Sequence, residues 1–164
     1  MSRIYVPAGV AMLRALADTG ELAPAGPVHT VTRELREAHP EADLEDLEYT
    51  AFADAALTAL SLVHGPAASP EGPEREPRRV VVSADVPGDR VRERPGGTAA
   101  DLEGVVELGK VAAVHVDDAE AAAEIAGLVE APELDLAAVE AHFLDWYAPS
   151  ELQDLLAGLG SRNP

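Results

Sequence analysis

Cysteine is absent from the sequence. That excludes disulfides, thiolate nucleophiles and thiolate metal sites, and it fits a reducing compartment. Long hydrophobic runs are also missing, since no window approaches the roughly 18 uncharged apolar residues that a membrane helix needs. The opening stretch "MSRIYVPAGVAMLRAL" interrupts its apolar run with Pro7, Gly9 and Arg14, so no secretory segment is expected there and the chain reads as cytoplasmic. Positive charge is scarce. Against 30 acidic side chains stand 12 basic ones, for a formal net charge of −18. Such a surface repels phosphate backbones, so neither nucleic acid nor membrane is an expected partner.

What remains is the composition of an ordinary globular domain, 47% hydrophobic and 26% charged. At 164 residues the chain is the usual size of one domain, able to bury roughly 70% of its unfolded surface without staples. The charge is unevenly spread. Arg75, Arg78, Arg79, Arg90, Arg92 and Arg94 are half of all basic residues, and none follows Lys110 until Arg162. The C-terminal third is therefore acidic, which reads as a solvated face or as a docking face for a basic protein partner.

Along the chain, "RIYVP" (Arg3 to Pro7) and "PVHTVT" (Pro27 to Thr32) are β-branched runs flanking a helical pattern from Ala8 to Asp18 that stops at Gly20. The longest helical pattern runs from Asp43 to His64 and ends at Gly65-Pro66. Leu44, Leu47, Ala51, Ala55 and Leu60 give it an apolar face, while Asp46, Thr50, Asp54, Thr58 and Ser61 form a polar stripe. Within that stripe Asp54 is expected to be solvated or locally hydrogen-bonded. Residues 65–79 and 94–104 read as irregular, flexible loops. "VVVSADV" (Val80 to Val86) has the continuous apolar character of a strand covered on both faces, and "VVEL" and "VAAVHV" read as a hairpin across Gly109-Lys110. The sum is a single α/β domain over residues 1–164, a mixed β-sheet covered by helices in the approximate order β-α-β-α-α-β-β-β-α-α-β-α.

"VHVDDAEAAAEIAGLV" carries the one constellation that suggests chemistry. Asp117 is placed to cap the helix that follows, with Glu120 three residues on completing a box. The alternative is a site at strand ends, in which Asp85, Asp117 and Asp118, joined by His115, hold a hard divalent cation for a metal-dependent or small-molecule enzyme. No phosphate loop, dinucleotide fingerprint, nucleophile elbow or zinc helix occurs, and no cofactor is expected. Near the end, "FLDWYAPSEL" reads as strand, proline, helix, with Ser150 and Gln153 as a second capping pair. Trp146 and Tyr147 should face opposite sides of their strand. Trp146 is expected in the core, with partner binding by Trp146, Tyr147, Glu151 and Asp154 as the sharper alternative.

Taken in order, "RIYVPA", "DLEYTAFADAAL", "RRVVVSADVP", "VAAVHVDDAEA" and "LDWYAPSEL" resemble an uncharacterised family of short actinobacterial proteins, a domain of unknown function. The resemblance spans nearly the whole chain and implies an intracellular bacterial protein, with no activity to carry over. The function these features favour is a non-catalytic protein-interaction or regulatory module. A structural homo-oligomer subunit is the third reading, and it requires a large apolar patch.

Overall fold

The computed structural model describes residues 1–64 and 77–160. In chain order the elements are β1 (Ser2–Ala8), α1 (Val10–Thr19), β2 (Glu21–Leu22), β3 (Val28–Thr30), α2 (Arg33–Ala38), α3 (Leu44–His64), β4 (Val80–Val86) and β5 (Val91–Glu93). They continue as β6 (Ala99–Leu102), β7 (Val106–Glu107), β8 (Val111–Val116), α4 (Ala119–Glu130), α5 (Leu136–Glu140), β9 (Asp145–Tyr147) and α6 (Leu152–Gly160). Short 3-10 turns lie at Gly88–Arg90, Leu108–Lys110 and Pro149–Glu151. The chain is an α/β domain built on a seven-stranded sheet in the order β5-β6-β3-β1-β4-β8-β9, in which each pairing is antiparallel.

β1 and β4 hold the centre, paired over seven positions from Ser2↔Val86 to Ala8↔Val80. Their alternation explains the apolar run in β4, because the sheet is covered on both faces. On the first face Ile4, Val6, Val80, Val82 and Val114 pack under Leu13 and Leu16 of α1 and Leu152 and Leu156 of α6. On the second, Tyr5 and Val81 pack under Ala51, Ala55 and Ala56 of α3. Burying each of these valines contributes about 1.5–3 kcal/mol. Small alanines on the inner side of α3 let that helix lie close to the sheet. Beyond the sheet, α3 packs on α4 and α5 through Leu60, Ile125 and Val139.

Several expectations are corrected. Pro7 does not end β1, which runs on to Ala8; β3 pairs only with Ile4 and Tyr5, so Pro7 has a strand neighbour on one side only and its missing N–H is tolerated. "VVEL" does not pair with β8. Its strand β7 joins β2 in a separate two-stranded ribbon, fixed where the helix stop at Gly20, in the left-handed conformation, brings the carbonyl of residue 20 to the Leu108 amide at 2.8 Å. Residues 94–104 are not wholly irregular, because Ala99–Leu102 form β6 between β3 and β5. Of the other expected loop, residues 65–76 lie outside the described residues, and Arg78 and Arg79 are buried. Leu44, assigned to the inner face of α3, is 56% exposed.

Candidate functional site

The strand-end carboxylates do not meet. β4 and β8 are antiparallel, so their C-terminal ends point in opposite directions; Asp85 lies five residues along β4 from the Val80↔Val116 pair, roughly 17 Å at strand spacing. Asp85 is held by Arg3 in a bidentate pair, Nε to Oδ1 at 2.8 Å and Nη2 to Oδ2 at 3.0 Å, which lowers its pKa against the opposing effect of burial. The proposed cation set of Asp85, Asp117, Asp118 and His115 is thereby dismantled, and among the described residues no group of three or more His, Asp or Glu side chains gathers to hold a metal.

Asp117 and Asp118 do different work. Asp118 is the N-cap of α4, its carboxylate accepting from the Ala121 amide at 2.7 Å, so the cap falls one residue later than expected and the Asp117–Glu120 box does not form. Asp117, 1% exposed, is the counterion of Arg79, 3% exposed. Arg79 donates Nε to Oδ2 at 2.8 Å and Nη2 to Oδ1 at 2.9 Å, and its backbone amide reaches Oδ2 at 3.0 Å. The displacement has a simple cause: the Asp117 amide still bonds the Arg79 carbonyl, so strand pairing continues one residue further than the valines suggest.

Two further polar groups sit between the sheet and α3. His29 places Nδ1 at 2.9 Å from Thr98 Oγ1 and Nε2 at 2.9 Å from Thr58 Oγ1, while the Thr98 hydroxyl donates to Asp54 Oδ2 at 2.7 Å. Because Thr98 spends its proton on Asp54, it accepts from Nδ1–H, and Nε2 pairs with the Thr58 hydroxyl. Burial lowers the imidazole pKa against the pull of Asp54, which favours the neutral ring in this arrangement. Asp54 is half-buried, and its bond to Thr98 is long-range and not local. It ties α3 to the β3/β6 edge.

His115 of β8 places Nε2 at 3.1 Å from Ser83 Oγ of the adjacent β4, and its ring packs edge-on against Phe52 of α3 at 4.7 Å. Burial and then Arg3 push its pKa down to about 4. This is a Ser–His pair without hydrolytic geometry: Ser83 is 2% exposed, and no carboxylate orients His115 among the described residues.

The feature that stands out is aromatic. Trp146 is not in the core but 61% exposed, beside His115 on the α3 face of the edge strand β9. Phe143 is 75% exposed and Tyr49 59% exposed. Between them, Phe52 contacts Tyr5, Tyr49 and His115. Tyr49, Phe52, Leu57, Val139, Phe143 and Leu144 line a mostly apolar groove of about 170 Å³, with Glu140 on its wall. Tyr147 turns to the opposite face, as alternation requires, where it lines a separate groove of about 360 Å³ with Arg78, Glu151, Asp154 and Leu155. The four expected partner-binding residues are therefore split between two surfaces. Tyr49 and Phe143 were missed; the signal for the first was the i, i+3 aromatic pair Tyr49 and Phe52 on a helix otherwise lined with alanine. The second capping pair is also revised, since Glu151 Oε1 accepts from the Ala148 amide at 2.8 Å.

The chain belongs to DUF6912, a family of unknown function whose model matches residues 2–156. No curated protein and no solved structure matches it. Among the described residues, no helix is long and apolar enough to cross a membrane.

Proposed function

We propose that this protein is a non-catalytic binding module whose aromatic groove, between α3, α5 and the segment 142–144 that leads into β9, takes a partner segment carrying an apolar anchor flanked by Lys or Arg. The observation that carries the reading is Phe143, 75% exposed and at the edge of an apolar groove. Exposed aromatic side chains cluster at interface centres because each buries a large area for little conformational entropy. The charge supports a basic partner: Glu140 lines the groove, Glu48 lies one residue from Tyr49, and the two basic residues in the lining, Arg79 and His142, each face a carboxylate of their own, Asp117 and Glu124. A second copy of the chain would set −18 against −18, which disfavours self-association through this face and leaves it as an outcome to be tested. Nucleic acid is repelled on the same grounds, and the lack of cysteine supports a cytoplasmic setting.

Affinity capture from lysate of the producing cells tests this, comparing the wild-type chain with Phe143→Ala/Trp146→Ala at low and high salt. A partner retained by the wild type, weakened by salt and lost with the double variant is expected. Retention of every captured protein by the double variant removes the reading. Sedimentation showing a wild-type dimer that the same double variant abolishes replaces it with self-assembly.

A further inference from the structure

We propose that the polar cavity between α2 and the 3-10 turn at Gly88–Arg90 is an oxyanion site for the phosphate group of a small molecule. The cavity, about 310 Å³, is lined by Ser2, Thr30, Arg33, Arg36, Gly88 and Glu93 among others. That volume is at the lower end of small-ligand sites, enough for a phosphate and a short organic body.

Arg3, Arg79 and Arg94 each hold a carboxylate, whereas Arg14, Arg78, Arg90, Arg92 and Lys110, like Arg33 and Arg36, form no ion pair among the described residues; what sets Arg33 and Arg36 apart is that two such cations line one cavity. Both reach it from one side of α2, three residues apart. Glu93, the one acid in the lining, has its Oε1 engaged at 2.8 Å by the backbone amide of Arg33. Two cations and one committed anion leave the cavity locally positive. At physiological ionic strength the distant negative charge is screened beyond about 8 Å, so the local pair decides what enters. Two guanidinium forks suit the geometry of phosphate oxygens better than a spherical halide. Gly88 lets the turn approach β1 closely, since a Cβ there would stand 3.1 Å from Ser2 Oγ, and both residues line the cavity. The site is separate from the aromatic groove and does not rest on the partner-binding reading.

The test is an amide chemical-shift titration of the whole 15N-labelled chain with inorganic phosphate at constant ionic strength, chloride making up the balance. A second arm uses glycerol 3-phosphate. Saturable shifts confined to the amides around Thr30–Arg36 and Gly88–Glu93 are expected. Arg33→Gln/Arg36→Gln should weaken binding at least about tenfold, and Arg33→Lys/Arg36→Lys, which keeps charge but loses the fork, should fall between. Both arginines are exposed, so thermal unfolding of the variants should match the wild type. Tighter binding of the ester than of free phosphate assigns the cavity to a phosphomonoester; equal binding assigns it to the free ion. Shifts that never saturate, or that the Gln double variant leaves unchanged, overturn the proposal.

Discussion

Arg79 and Asp117 close the adjoining ends of β4 and β8 through two side-chain hydrogen bonds of 2.8 and 2.9 Å, with almost no exposure to solvent. The neighbouring Asp118, exposed and capping α4, differs from Asp117 by one position in sequence and by everything in environment.

That contrast gives the first expectation. Asp117→Ala leaves a buried guanidinium without its counterion and should cost about 3–5 kcal/mol. Asp118→Ala removes one cap bond and should cost about 1 kcal/mol. Urea denaturation of the two variants measures both, and equal losses would show that the two carboxylates are equivalent after all.

Removing the pair together is a different matter. Buried ion pairs are often replaced by apolar residues without loss, but here the pair also serves the Arg79 amide and the His142 carbonyl, the latter at 3.0 Å from Nη2. Arg79→Met/Asp117→Leu should be more stable than Asp117→Ala and less stable than the wild type. Chemical denaturation of the three proteins side by side checks the order.

The histidines predict a pH dependence. His115 has its pKa lowered to about 4, from 6.5, and His29 is lowered in the same direction. The folded chain therefore binds fewer protons than the unfolded chain between these limits. The stabilisation is complete above about pH 6.5 and is lost as pH falls toward 4, with a slope of at most about 1.4 kcal/mol per pH unit for each histidine. His115→Gln should flatten the urea midpoint over that window; an unchanged slope would place the effect elsewhere.

Thr98→Val keeps the shape of the side chain but leaves His29 Nδ1 and Asp54 without their shared partner. A loss of about 1–3 kcal/mol is expected, together with faster hydrogen exchange in α3 near Asp54. A neutral result would mean that water replaces the hydroxyl.

Phe143→Ala and Trp146→Ala, by contrast, remove side chains that the fold barely uses. Each should leave thermal stability within about 0.5 kcal/mol of the wild type. A large loss from either would move that residue from partner recognition into the fold.

Much of the fold was legible because burial leaves a pattern. The valines of β4 and β8 and the long run of α3 are readable without partners in view. β6 was not, because "RPGGTAADLEG" is a turn by composition and becomes a strand only when β3 and β5 bond it on both sides. Trp146 misled for the same reason: its apolarity suggests burial, but β9 is the last strand of the sheet and α3 does not extend over it. Arg79 was visible only as one of a cluster of arginines, and nothing local marks it as the counterion of a residue 38 positions away. The carboxylate site dissolved once antiparallel pairing sent Asp85 and Asp117 to opposite ends.

The sheet terminates in β5 on one side and β9 on the other, each three residues long. Three residues expose too few free amides and carbonyls to template another chain, and Arg92, Glu93 and Asp145 place charge on those rims. Strand-by-strand stacking into fibrils is thus discouraged at both margins, and a visitor to this surface has to be read through side chains and not through an added strand.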